Sequence, residues 1–146
     1  MAITHKLYGP GIQEMLKGGI ALETHTIKVA LMKTAHTFNQ AHTNWGQIST
    51  NECDSADYTA KGETIGNKQV NYASRVTTFK TTDAKATFTS DGTISAAYAV
   101  VYRDSGSDAT SFLISCIDFG GTESSQDGEF SIQWHADGIF TITVDA

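Results

Sequence analysis

The residues of this chain that could do chemistry are five histidines, two cysteines and several small groups of acids. His36 and His42 lie in one polar stretch with Asn39 and Asn44 nearby, which raises a metal site. No cysteine is placed to complete a zinc set, however, and His5, His25 and His135 are scattered among polar neighbours. The histidines therefore read as solvated or hydrogen-bonding side chains. Cys53 stands in Asn51-Glu52-Cys53-Asp54, where two carboxylates hold a thiol in its protonated, unreactive form. Cys116 sits inside the apolar run Phe112 to Ile117 and reads as a small buried hydrophobe. One disulfide is arithmetically possible, and a reducing compartment disfavours it.

The acids select no reaction either. Glu52, Asp54 and Asp57 lack the alternating oxygens, central glycine and terminal glutamate of a calcium loop. Asp104-Ser105-Gly106-Ser107-Asp108 is ordinary turn chemistry. No pair of carboxylates stands out for glycoside hydrolysis, and there is no Gly-x-Ser-x-Gly elbow or phosphate-binding glycine loop before a helix. The expectation is a non-enzyme with no cofactor and no metal. Trp45 is the aromatic that stands apart, because it lies in a long loop. There it stacks on a sugar, anchors a partner chain or folds back over the core.

The elements that would position these residues are mostly strands. Tyr8 to Gly18 is the one helix candidate, with Pro10 in its first turn, Ile12, Met15 and Leu16 on one face and Gly18-Gly19 as its stop. Thr26 to Lys33 reads as a buried strand. The polar stretch from Thr34 to about Asp57 is too long for an empty loop and predicts a helical turn near Asn44 to Ile48. Further strands are expected over Tyr58 to Ile65, Lys68 to Lys80, Ala84 to Thr89, Thr93 to Tyr102 and Phe112 to Phe119. A turn at Asp91-Gly92 and a loop over Gly120 to Gly128 are expected between them. Glu129 to His135 and Ile139 to Val144 read as a closing hairpin around Ala136-Asp137-Gly138. Phe112 to Phe119 and Thr93 to Tyr102 are apolar or small on both parities, as central strands are.

Composition agrees. The 146 residues suit one domain, and 20 Thr, 12 Ser and 13 Gly against 1 Pro favour strands and turns. The fold class expected is all-β: a single-domain sandwich or barrel of about 7–8 antiparallel strands with one short N-terminal helix. The net charge of −6 argues against a general nucleic-acid surface. No apolar run reaches the roughly 18 residues that span a bilayer, and none follows the N-terminus as in a signal peptide, so synthesis and folding in a cytoplasm are expected. Residues 1–7 carry no core pattern. They form either a frayed end or a flexible arm whose Ile3 adds to a partner's sheet.

One set of words is familiar. Gly19 to Met32, Phe38-Asn39-Gln40, Trp45 to Ser49, Asn51-Glu52 and Tyr58 to Ile65 resemble the first half of a group of small bacteriophage structural proteins. Ala97 to Asp104, Leu113 to Gly120 with its Ile117-Asp118-Phe119-Gly120, Phe130 to Trp134 and Gly138-Ile139 resemble the second half. Asp57 and Lys61 stand where that group usually has glycine, which leaves the local turns there open. The resemblance covers nearly the whole chain, and its words are strand and turn words. It implies a virion component, most like a capsid decoration or cement protein on the outer surface of the shell. Such proteins bind the major capsid protein and often form trimers. The interface residues expected on that reading are Ile3, Leu7, Tyr8, Phe38 and Trp45, with neither nucleic acid nor membrane as partner. The alternatives are a tail, baseplate or fibre-associated binding module, with Trp45, His36 and His42 as the recognition surface, and a small β-fold hydrolase.

Overall fold

A computed structural model describes residues 3–89, 92–125 and 128–145. Met1 and Ala2 of the expected arm, Asp91 of the expected turn, and Gln126 and Asp127 of the expected loop lie outside these residues. The strands are β1 (Thr4–Leu7), β2 (Ile27–Met32), β3 (Glu63–Thr64), β4 (Lys68–Ala73), β5 (Val76–Thr81), β6 (Lys85–Thr89), β7 (Ile94–Arg103), β8 (Leu113–Ser125), β9 (Glu129–Gln133) and β10 (Phe140–Thr143). The one α-helix, α1, is Gly9–Lys17. All strand pairs are antiparallel. The all-β reading holds, with about ten strands rather than seven or eight.

The body is built on a five-stranded sheet in the order β1-β8-β7-β2-β3. Strand alternation sends its residues to two separate cores. Ile27, Val29, Leu31, Ala99, Val101 and Ile114 face a second layer, made by the β10-β5-β4 sheet and the β6-β9 pair, and meet Phe79, Phe88 and Ile132 there. Ala30, Met32, Val100, Tyr102, Leu113 and Cys116 face the other way, where Tyr8, Trp45 and Ile48 cover them. The long polar stretch is therefore a lid on the central sheet. Its expected helical turn is the 3-10 turn Trp45–Gln47, capped by Asn44 and Gln47, and a second follows at Ser49–Asn51.

Helix α1 starts after Tyr8, carries Pro10 in its first turn and ends at Gly18, whose φ of +83° is the left-handed stop the sequence predicts. Gly11 is buried against β8 so closely that a Cβ there would lie 2.0 Å from the Leu113 carbonyl oxygen. Met15 packs on the core, but Leu16, expected on the same face, is exposed.

Five expectations are corrected. Residues 4–7 are not a flexible arm: they form β1, paired with β8 of their own sheet. Tyr58 to Ile65 supplies only the two-residue strand β3. Lys68 to Lys80 is not one strand but the hairpin β4–β5, turning at Ser74 and Arg75 with φ of +50° and +68°. A two-residue turn with both residues left-handed matches the twist of a hairpin, although neither residue is the usual Asn or Gly. β8 does not stop at Phe119 but runs to Ser125, re-pairing with β7 beyond a register shift that sets Ala97 against residues 119–122. Finally, β9 and β10 do not form a hairpin. They meet only at a bridge between His135 and Gly138, after which β9 pairs with β6 and β10 with β5.

Asp57 and Lys61 both hold left-handed backbone, with φ of +63° and +70°. Gly62 follows at +75°, where a Cβ would sit 2.0 Å from the Val29 carbonyl oxygen. This turn is thus pressed onto β2.

Candidate functional site

Of the five residues expected at a partner interface, two are withdrawn from the surface. Tyr8 is fully buried and tilts against Phe38 with ring centroids 5.0 Å apart. Trp45 is also buried and stacks on Tyr102 at 4.4 Å, so it folds back over the core and presents no face to a sugar or a partner. Phe38 is half-buried, with the Lys6 ammonium 5.2 Å above its ring. Leu7 is half-buried on β1, and Ile3 remains well exposed. The structure does not bring these residues together into one accessible patch.

The polar clusters are used internally. Glu52 accepts hydrogen bonds from the Tyr58 hydroxyl and the Lys61 amide, while Tyr58 in turn accepts one from the Leu31 amide. Tyr102 donates to the Lys61 carbonyl at 2.7 Å, and Lys61 pairs with Asp108 across the surface. These bonds pin residues 52–62 onto β2 and β7. Burial holds the Glu52 carboxyl above its usual range, with the hydrogen bonds to it acting in opposition. Nothing in this group aims a free base or acid at solvent.

His36 is buried, so of the two expected readings, solvated or hydrogen-bonding, the solvated one does not apply to it. Its imidazole stands edge-on to Tyr98 at 5.2 Å, and its Nε2 lies 3.9 Å from the Cys116 sulfur. Burial first, and then the neighbouring His42, push its pKa down to about 4. The neutral imidazole is therefore the resident form near neutral pH. Both thiols are buried and free. Cys53 is pushed up to about 11 by burial and then by Glu52 and Asp54, and it donates to the Ser95 carbonyl. Cys116 is pushed up to about 12, mainly by burial. Neither is an activated nucleophile. Among the described residues, no three His, Cys, Asp or Glu side chains are grouped to hold a metal ion. Among them, too, no helix is long and apolar enough to cross a membrane.

What the surface does offer is apolar. In the β10-β5-β4 sheet, register places Val70, Phe79 and Phe140 in one row and Tyr72, Thr77 and Ile142 in the next, on the same face. Val144 continues that face by alternation. The first row is anchored in the core through Phe79. Beyond that row the face overhangs: Tyr72 is 67% exposed, Ile142 45% and Val144 56%, with Thr77 half-buried between Tyr72 and Ile142. The opposite face carries Gln69, Asn71, Thr78, Lys80, Thr141 and Thr143, with Ala73 and Val76 joining them at the turn end, so the sheet is amphipathic except beside the β4–β5 turn, and its apolar side is covered for only part of it. Exposed apolar side chains gathered on one face make it the candidate contact surface of this fold. Sequence reading passed over it because these residues alternate like any core strand, and only the structure tells which row is covered. A second apolar feature is a trough of about 960 Å³ between β1 and β9.

No protein-family model, curated protein or solved structure matches this chain.

Proposed function

We propose that this protein is a non-enzymatic structural component of a bacteriophage particle, a capsid decoration protein that binds the major capsid shell as an oligomer, with a trimer favoured. The observation that carries the reading is the overhanging face with Tyr72, Ile142 and Val144 exposed on it, which suits a protein partner rather than a small substrate. Two things support it further. The resemblance to phage structural proteins runs through nearly the whole chain. In addition, Asp57 and Lys61 hold left-handed backbone at the positions where the resembled group has glycine. The central sheet, covered on both faces, makes a stiff body from which such a surface can be presented.

Cryo-electron microscopy of purified particles tests the proposal. Hundreds of copies on the outer shell, clustered at symmetry axes, are the result expected. A few copies at a tail or vertex would move the protein to the tail or baseplate reading, and absence from particles would end both. Light scattering on the purified protein adds a cheaper arm. Tyr72→Ser with Ile142→Thr should lower the oligomeric state, or weaken shell binding, without changing the melting transition.

A further inference from the structure

The central sheet ends at β1, and the layer opposite it ends at β9. The sandwich is open between these two edges, and the opening is the trough of about 960 Å³. The hydrogen-bond register says which main-chain groups are left unpaired along the two edges. The Tyr8 amide donates to the Ile114 carbonyl, so on β1 the groups of Thr4 and Lys6 turn toward β8 and those of His5 and Leu7 turn away. The Trp134 amide donates to the Ala84 carbonyl, so on β9 the groups of Phe130 and Ile132 turn toward β6 and those of Ser131 and Gln133 turn away. Among the described residues, nothing hydrogen-bonds to these outward groups. Two unpaired strand edges thus border one trough, whose floor includes Phe119, Phe130, Ile132 and Trp134.

Unpaired edges invite an added strand, because its backbone gains a ladder while alternate side chains drop into the apolar floor. Charge chooses the strand. The carboxylates of Glu123 and Glu129 line the trough and no lysine or arginine does. Lys85 pairs with Glu129, while Glu123 is exposed and has no ion pair among the described residues. A second copy of this chain, at net −6, brings like charge to an acidic rim. We propose that the trough between β1 and β9 accepts an extended segment of a partner protein in which lysine or arginine alternates with apolar residues. This goes beyond the virion reading and stands on the cleft alone, so either can fail without the other.

The probe is the octapeptide acetyl-(Lys-Val)4-amide, titrated into the ¹⁵N-labelled protein and followed by amide shifts and Trp134 fluorescence. The expected result is saturable binding with the largest shifts at His5, Leu7, Ser131 and Gln133. Acetyl-(Glu-Val)4-amide and acetyl-(Lys-Ser)4-amide should bind at least tenfold more weakly. Ser131→Pro removes an outward amide that the β6 ladder does not use, a change edge strands tolerate, and should weaken binding at least tenfold. Glu123→Lys, at an exposed position, serves as the second variant and should weaken the cationic peptide selectively. No saturable binding at millimolar peptide, shifts centred elsewhere, or equal binding by the glutamate peptide would overturn the proposal. So would a dimer of the free protein that Ser131→Pro dissolves, since the occupant would then be a second copy.

Discussion

Acidification should destabilise this protein through His36, and the size of the effect can be worked out. The imidazole is buried between Tyr98 and Cys116, and its pKa falls from 6.5 to about 4. Below pH 6.5 the unfolded chain takes up a proton at this residue that the folded chain refuses until about pH 4. The stabilisation is therefore fully present above pH 6.5 and is lost as pH falls through the window. The shift corresponds to about 3 kcal/mol over the whole window, of which about 2 kcal/mol goes between pH 7 and pH 5. Other groups titrate nearby. His5 is also lowered, and Glu52 is raised, which works in the opposite sense. The informative quantity is therefore the difference between the protein and its His36→Phe variant, in which those terms cancel. Urea unfolding followed by tryptophan fluorescence at pH 7, 6 and 5 measures it. The unfolding free energy of the protein minus that of the variant should fall by about 2 kcal/mol between pH 7 and pH 5. Parallel profiles would show that His36 is protonated in the fold and that its burial does not control its charge.

Four further outcomes follow from the packing. Gly62→Ala should destabilise severely, by about 3 kcal/mol or more, because the added Cβ meets the β2 backbone where φ is already left-handed; thermal melting checks this. Trp45→Ala should cost about 3–5 kcal/mol and loosen the lid, seen as faster amide exchange in β2 and β7. Arg75→Gly and Asp57→Gly relieve non-glycine left-handed positions, and each should raise stability by roughly 0.5–1 kcal/mol in chemical denaturation. Both thiols should resist a thiol reagent in the native protein at pH 8 and react on adding denaturant, because burial keeps each protonated.

The parts of the fold that the sequence showed are those where periodicity or a stop residue acts locally. Ile27, Val29 and Leu31 alternate and are buried, and Gly18 ends α1 as a left-handed cap. What it hid involves a choice between equal local signals. Ser74 and Arg75 carry no turn signature, so the β4–β5 hairpin read as one strand, whereas the register faces Val70 and Tyr72 with Phe79 and Thr77. Around Ala97, where β7 is small or apolar on both parities, the shift against residues 119–122 was invisible. Asp137-Gly138 does turn the chain, but nothing local says that the strands beyond it join different sheets. At the candidate site, burial of His36 and Trp45 depends on the lid docking over the central sheet, a long-range event that their polar neighbours in sequence do not announce.

The strand order of the central sheet also bears on how the chain is made. β2 finds its long partner in β7, between Ile27↔Arg103 and Met32↔Tyr98, and β1 finds its partner in residues 115–118 of β8. During synthesis the apolar segment Ile27 to Met32 therefore leaves the ribosome roughly seventy residues ahead of its main ladder. At about 5–20 residues per second it waits several seconds, with the bridge from Glu52 to Met32 and the two-residue β3 arriving sooner. The β4–β5 hairpin, by contrast, can close as soon as it emerges. The nascent chain thus carries an early hairpin, completed only when β10 arrives, and a late, aggregation-exposed centre. Shielding of that one segment until residue 103 is out is a demand this strand order places on the cell.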